Sequence, residues 1–227
     1  MKKILVLGGG GFIGRKITEF LVKRDDCNVV AADIKDGSNW HYLADRFPRS
    51  FSFVLGDFCN LQVFDNLDND FDEIYMLAAV VGVNRTIKEP HEVIRINTKL
   101  TTNVLEWVAK NPVNKILFSS SSENYAATTD LFDSEIPTSE DIPLCIGDIT
   151  HPRWTYAITK MHGESAFIHS AKKLDYDYRI VRYQNIIGPE MGFGHAIPHI
   201  VERFVNELEN PIKIYGHDQT RAFCYID

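Results

Sequence analysis

The sequence predicts an α/β fold: a doubly wound parallel sheet with helices on both faces, followed by a small C-terminal segment. Three observations predict it. Short apolar runs alternate with longer stretches of helical period along most of the chain. A glycine-rich turn, Gly8-Gly9-Gly10-Gly11-Phe12-Ile13-Gly14, follows the first apolar run. An acid, Asp33, ends the second run.

The elements follow in order. Parallel strands are expected at 3–7, 28–32, 51–55, 73–77, 115–119 and 178–183, each short and nearly continuous in apolar character, as strands covered on both faces are. Ile13, Ile17, Phe20 and Leu21 repeat at helical spacing after the glycine turn. Val93, Ile96, Leu100, Val104 and Val108 do the same in a helix over 91–110, which Asn111-Pro112 ends. Strands alternating with helices join by right-handed crossovers into one sheet. The stretch 123–153 is polar, holds Pro137, Pro143 and Pro152, and reads as a long irregular loop. Beyond Gly188-Pro189 a helix near 197–208 and strands near 212–215 and 222–226 are expected. Residues 1–187 thus form the sheet domain, and 188–227 begin a second segment that stops abruptly and reads as truncated.

Composition narrows the function. A net charge of -7 creates no field favouring nucleic acid. No apolar run reaches membrane length, and the run after Lys2-Lys3 is too short for a secretory signal. Cys27, Cys59, Cys145 and Cys224 are scattered without disulfide or metal-ligand spacing, so no metal is expected and the thiols read as reduced, cytoplasmic cysteines.

Two constellations carry chemistry. Gly8, Gly11 and Gly14 permit a tight turn and close backbone approach to a pyrophosphate, with Phe12 and Ile13 opening a helix whose N–H groups face the phosphates. Asp33 would accept hydrogen bonds from the adenosine ribose and repel a 2′-phosphate, favouring NAD over NADP, although Lys35 blurs that preference. Asp57 could reach the adenine amino group or simply form a turn. The second constellation pairs Tyr156 with Lys160, four residues apart on one helix face, where an ammonium would lower the phenol pKa. The run Ser119-Ser120-Ser121-Ser122-Glu123, at the carboxyl end of a strand, would face the same crevice.

With Leu77-Ala78-Ala79 and Arg182-Tyr183-Gln184-Asn185-Ile186-Ile187-Gly188-Pro189, these motifs closely resemble the extended short-chain dehydrogenase/reductase family. Within it the chain is similar to the NAD-dependent nucleotide-sugar epimerases and dehydratases. The resemblance implies a Rossmann domain with a small, incomplete substrate-binding segment. It assigns Tyr156 as base, Ser121 as hydrogen-bonding partner, and Lys160 as the lysine that also holds the nicotinamide ribose. It places Leu77, Ala78, Ala79 and Asn97 near the cofactor, and Ser122, Asn185 and Arg221 against the nucleotide-sugar substrate.

The implied reaction is transient oxidation at sugar C4. Glu123 could then serve as a general base at the C5 proton, as in dehydratases and some decarboxylases, although Ser122 stands where the glucose-type dehydratases have an acid. Pro152-Arg153-Trp154 is similar to decarboxylase-like members, so a uronic-acid decarboxylase is the alternative enzyme. A non-catalytic NAD(H)-binding regulator and an NADPH-dependent carbonyl reductase are the competing classes. The family resemblance also implies a homodimer, formed through the helices at 91–110 and 154–174.

Overall fold

The computed structural model describes residues 1–132, 134–192, 195–206, 211–214, 216 and 220–227. A six-stranded parallel sheet is built from β1 (Lys2–Leu7), β2 (Cys27–Asp33), β3 (Phe51–Leu55), β4 (Glu73–Met76), β5 (Lys115–Ser121) and β6 (Asp177–Tyr183), in the order β3-β2-β1-β4-β5-β6. The order reverses between β1 and β4. In such sheets, that switch point opens a crevice beyond the strands' carboxyl ends.

Strand alternation sends successive β1 side chains to opposite faces. Leu5 and Leu7 enter one core with Phe64, Trp107, Phe118 and Phe167, while Ile4 and Val6 enter the other with Trp40, Leu43 and Phe51. Burying each such side chain contributes about 1.5–3 kcal/mol. The second core holds α1 (Phe12–Val22) and α2 (Trp40–Arg46) against the sheet. The first packs under α4 (Pro90–Val108) and α6 (Trp154–Leu174), which follow a short α3 (Val83–Lys88) and α5 (Ala126–Phe132). Gly163 lets α6 lie close on β5, because a Cβ there would meet the Phe118 ring at 2.3 Å.

Several expectations need correction. The stretch after β5 is not irregular throughout: Ser122–Tyr125 form a 3-10 turn that runs into α5, and Ala127 packs with Trp154 and Ala157 in a small satellite core. Prolines occur only later in that stretch, so they do not stop the first helical turns. The strand β6 is half-exposed rather than covered on both faces, because it lies at the sheet edge. No strand forms over 212–214, and residue 215 lies outside the described residues. The expected helix at 197–208 is α7 (Ala196–Val205), with 207–208 outside the described residues. Finally, β8 (Phe223–Tyr225) pairs with β7 (Asn185–Ile187) in a separate two-stranded parallel sheet.

Candidate active site

The glycine turn sits at the switch point and is built for contact. Gly8 has φ +86°, and a Cβ there would lie 2.5 Å from the Ala78 nitrogen, so the loops after β1 and β4 touch. A Cβ on Gly14 would fall 2.0 Å from the Gly8 carbonyl oxygen. Gly11 occupies the N-cap of α1, where no side chain caps the helix and no acid sits in the first turn. The first-turn N–H groups of Phe12, Ile13 and Gly14 therefore remain suited to an anion. Asp33 leans over the turn: its Oδ2 accepts the Gly10 N–H at 3.1 Å, and its Oδ1 accepts that of Lys35 at 3.2 Å.

Beyond the other half of the crevice, β5 and α6 bring the second constellation together. The Ser121 hydroxyl comes near enough to the Tyr156 phenol to oppose the rise in its pKa. Lys160 lies on the same helix face, its Nζ 5.5 Å from the Tyr156 ring centre, and donates to the Ser119 carbonyl oxygen at 2.6 Å. Glu123, in the turn after β5, donates its backbone N–H to the Ser121 hydroxyl at 3.2 Å and directs its carboxylate toward Arg153 at 3.5 Å. Ser122 opens the same turn and is half-buried.

The electrostatics correct the expected role of Lys160. Burial pushes the Tyr156 phenol up to about 12; the Ser121 hydroxyl opposes that shift and the Glu123 charge adds to it. Burial also pulls Lys160 down to about 7. Near neutrality the lysine is therefore only partly charged, and in this fold it does not bring the phenol pKa down. Desolvation disfavours the charged form of both groups.

Other residues fall in different places. Asn97 is buried, and its amide is engaged: Oδ1 accepts the Val80 N–H at 2.7 Å, while Nδ2 donates to the Val80 carbonyl at 3.2 Å and to Thr159 Oγ1 at 3.2 Å. It fastens the segment holding Leu77, Ala78 and Ala79 to α4 and α6 rather than presenting an open amide. Asp57 is exposed and closes a turn, accepting the Cys59 N–H at 2.9 Å. Asn185, in β7, donates to the carbonyl of Ala222 at 3.0 Å, the residue that follows Arg221.

Sequence reasoning missed Glu164 and the role of Arg182. Glu164 receives two guanidinium bonds from Arg182, at 2.9 and 2.7 Å, and further bonds from Asn124 at 2.9 Å and Ser120. Arg182 also reaches the Tyr125 hydroxyl at 2.7 Å. The signal was present: Tyr156, Lys160 and Glu164 stand at i, i+4 and i+8, one face of α6.

The family profile described as "NAD dependent epimerase/dehydratase family" matches residues 4–227. The chain belongs to the NAD-dependent epimerase/dehydratase family. One relative of this epimerase/dehydratase chain is a UDP-N-acetyl-alpha-D-glucosaminuronate decarboxylase from Bacillus cytotoxicus, 30% identical over 99% of the chain and 68% of the relative. Another is GDP-mannose 3,5-epimerase 1 of Oryza sativa subsp. indica, 29% identical over 99% of the chain and 58% of the relative. A solved structure of UDP-glucuronic acid 4-epimerase from Bacillus cereus, in complex with UDP-glucuronic acid and NAD, superposes with a TM-score of 0.78. Its identity is 25%, over 99% of this chain and 69% of that one. The chain thus spans between 58% and 69% of the length of these relatives.

The residues present fit the family's cofactor. The side-chain-free cradle at Gly8 and Gly14, the uncapped α1 terminus and the adjoining Asp33 carboxylate supply close approach, anion-facing N–H groups and a ribose acceptor. The cofactor is NAD.

Proposed function

We propose that this epimerase/dehydratase-family chain oxidises a nucleotide-linked sugar transiently at C4 and then epimerises it or eliminates water from it. The observation that carries the reading is the meeting of the Ser121 hydroxyl and the Tyr156 phenol one side chain from Lys160, at the carboxyl end of β5. When bound, NAD supplies the two-electron acceptor for that oxidation.

The chain's own residues do the rest. Gly8, Gly11 and Gly14, with Phe12 and Ile13, hold the pyrophosphate, and Asp33 holds the adenosine ribose. Leu77, Ala78 and Ala79, kept in place by Asn97, wall the crevice. Ser121 orients the sugar hydroxyl against Tyr156, which takes its proton. A phenol held at about 12 needs a nearby positive charge to act as a base near neutrality, and Lys160, at about 7, supplies that charge by taking up a proton. Glu123 then removes the proton made acidic by the new ketone. Asn185 and Arg221 receive the nucleotide diphosphate.

Residues 1–187 are read as the NAD-binding unit and 188–227 as the start of the sugar-binding unit. The enzyme works in the cytoplasm as a homodimer formed through α4 and α6. A decarboxylase is the second reading: two of the relatives named above handle uronic-acid sugars, and Glu123 stands beside a cation.

The test is incubation with NAD and a panel of UDP-, dTDP-, GDP- and CDP-sugars, with products identified by NMR. Turnover that disappears in Tyr156→Phe is expected. Intact NAD binding with no change in any sugar rejects the proposal.

A further inference from the structure

We propose that Arg153 selects the substrate of this site by receiving a carboxylate carried on the sugar, so that the natural substrate class is a nucleotide-linked uronic acid. The inference rests on the nucleotide-sugar reading above and deepens it.

Position comes first. Arg153 immediately precedes α6 and stands three residues, just under one helical turn, before Tyr156. Its Nη2 lies 3.5 Å from a Glu123 carboxylate oxygen, and the charge on Glu123 reaches the Tyr156 phenol. Glu123 therefore ties Arg153 to the tyrosine that the family resemblance assigns as base.

The guanidinium is held without being used up. It lies over the Trp154 indole, 5.2 Å from the ring centre, and Trp154 is itself buried in the satellite core. Among the described residues its only other side-chain contact is Glu123, at a distance longer than a hydrogen bond and with both partners about half exposed, 49% and 46%. Arg182 shows the contrast: its fork closes on Glu164 at 2.9 and 2.7 Å, with the carboxylate at 6% exposure. Arg182 is spent on structure. Arg153 keeps a half-exposed planar donor fork beside Glu123, of the kind that matches a carboxylate through two parallel bonds.

Charge balance points the same way. A sugar carboxylate entering beside Glu123 meets a like charge. Lys160 is turned to the Ser119 carbonyl and burial disfavours its ammonium, so it offsets that repulsion poorly. Arg153 is the cation placed beside Glu123 to offset it. A neutral sugar would draw no comparable benefit.

The test is calorimetric binding to the full chain loaded with NAD, using UDP-glucuronic acid against UDP-glucose and GDP-mannuronic acid against GDP-mannose, with UDP and GDP alone as references. In one of the two pairs the wild-type chain is expected to bind the acid sugar roughly ten-fold or more tightly than its neutral partner, the gain of a charge-assisted hydrogen bond. Arg153→Gln is expected to erase that preference while changing affinity for the nucleoside diphosphate less than about two-fold, and Arg153→Lys to restore part of it. The melting temperature should hardly move, since an exposed ion pair contributes little to stability. Binding of both members of a pair without preference, or a preference that survives Arg153→Gln, overturns the role of Arg153 and leaves the nucleotide-sugar reading standing. Failure of every nucleotide sugar and both nucleoside diphosphates to bind overturns that reading, and this inference with it.

Discussion

The Glu164 carboxylate grips the Arg182 guanidinium through two bonds, at 2.9 and 2.7 Å, directly behind the turn that carries Glu123. Asn124 of that turn donates to the same carboxylate at 2.9 Å, so α6, β6 and the end of β5 share one buried charge. Removing one partner strands the other without solvent. Glu164→Gln is therefore expected to cost about 3–5 kcal/mol, read as a drop in urea unfolding free energy. The double variant Glu164→Leu with Arg182→Met should lose markedly less than the two single losses combined. Additive losses would show that the pair is not coupled.

Lys160 makes a pH prediction. Its folded pKa is about 7 against 10.5 for an ordinary lysine, so the folded state holds its proton less tightly than the unfolded chain. Below about 7 both states are protonated and the burial penalty is complete. Between about 7 and 10.5 only the unfolded state carries the proton, so raising the pH favours folding, by at most about 1.4 kcal/mol per pH unit. Above 10.5 the effect is exhausted. Lys160→Met is expected to be more stable than wild type at pH 7 and to lose that advantage by pH 10, in denaturant titrations of both proteins. A difference that does not vary with pH would mean that Lys160 is charged and compensated.

How much of this was legible beforehand depended on the range of the interaction. The strands were readable because apolar runs such as Ile4-Leu5-Val6-Leu7 are buried from both sides. The glycine turn was readable because backbone approach dictates residue type locally. The Tyr156–Lys160 pair followed from helical spacing, and the meeting with Ser121 from the rule that sites lie beyond the strands' carboxyl ends. The partners of Asn97 could not be read. Its amide bonds to Val80 and Thr159, 17 and 62 residues away, and no local pattern encodes that meeting. The expected lowering of the Tyr156 pKa failed for a similar reason: spacing shows a lysine near the phenol, whereas desolvation depends on everything packed around both groups.

Gly14 tests the cradle. A methyl group there would sit 2.0 Å from the Gly8 carbonyl oxygen, inside any tolerable contact, and backbone rather than a flexible side chain would have to move. Gly14→Ala is expected to weaken NAD binding by at least roughly a hundred-fold, the scale of losing several backbone contacts to the pyrophosphate. Nucleotide fluorescence titration measures it. Near-wild-type affinity would mean that the phosphates lie elsewhere.

Glu123 separates two chemical steps. Its carboxylate is half-exposed beside Arg153, whereas the phenol of Tyr156 is buried near Ser121, so the two proton transfers use different groups. Glu123→Gln keeps the shape of the side chain and its backbone bond to Ser121, because that bond is made by the Glu123 N–H. The variant should still oxidise a bound sugar, seen as NADH absorbance in a single turnover, but should lose epimerisation or elimination by about 10²–10⁴-fold, the usual contribution of a general base. The same change removes a negative charge that raises the Tyr156 pKa, so the oxidation step should reach its maximum at slightly lower pH than in wild type. Parallel loss of both steps with no shift in the pH profile would mark Glu123 as a structural partner of Arg153 and return the second proton transfer to Tyr156.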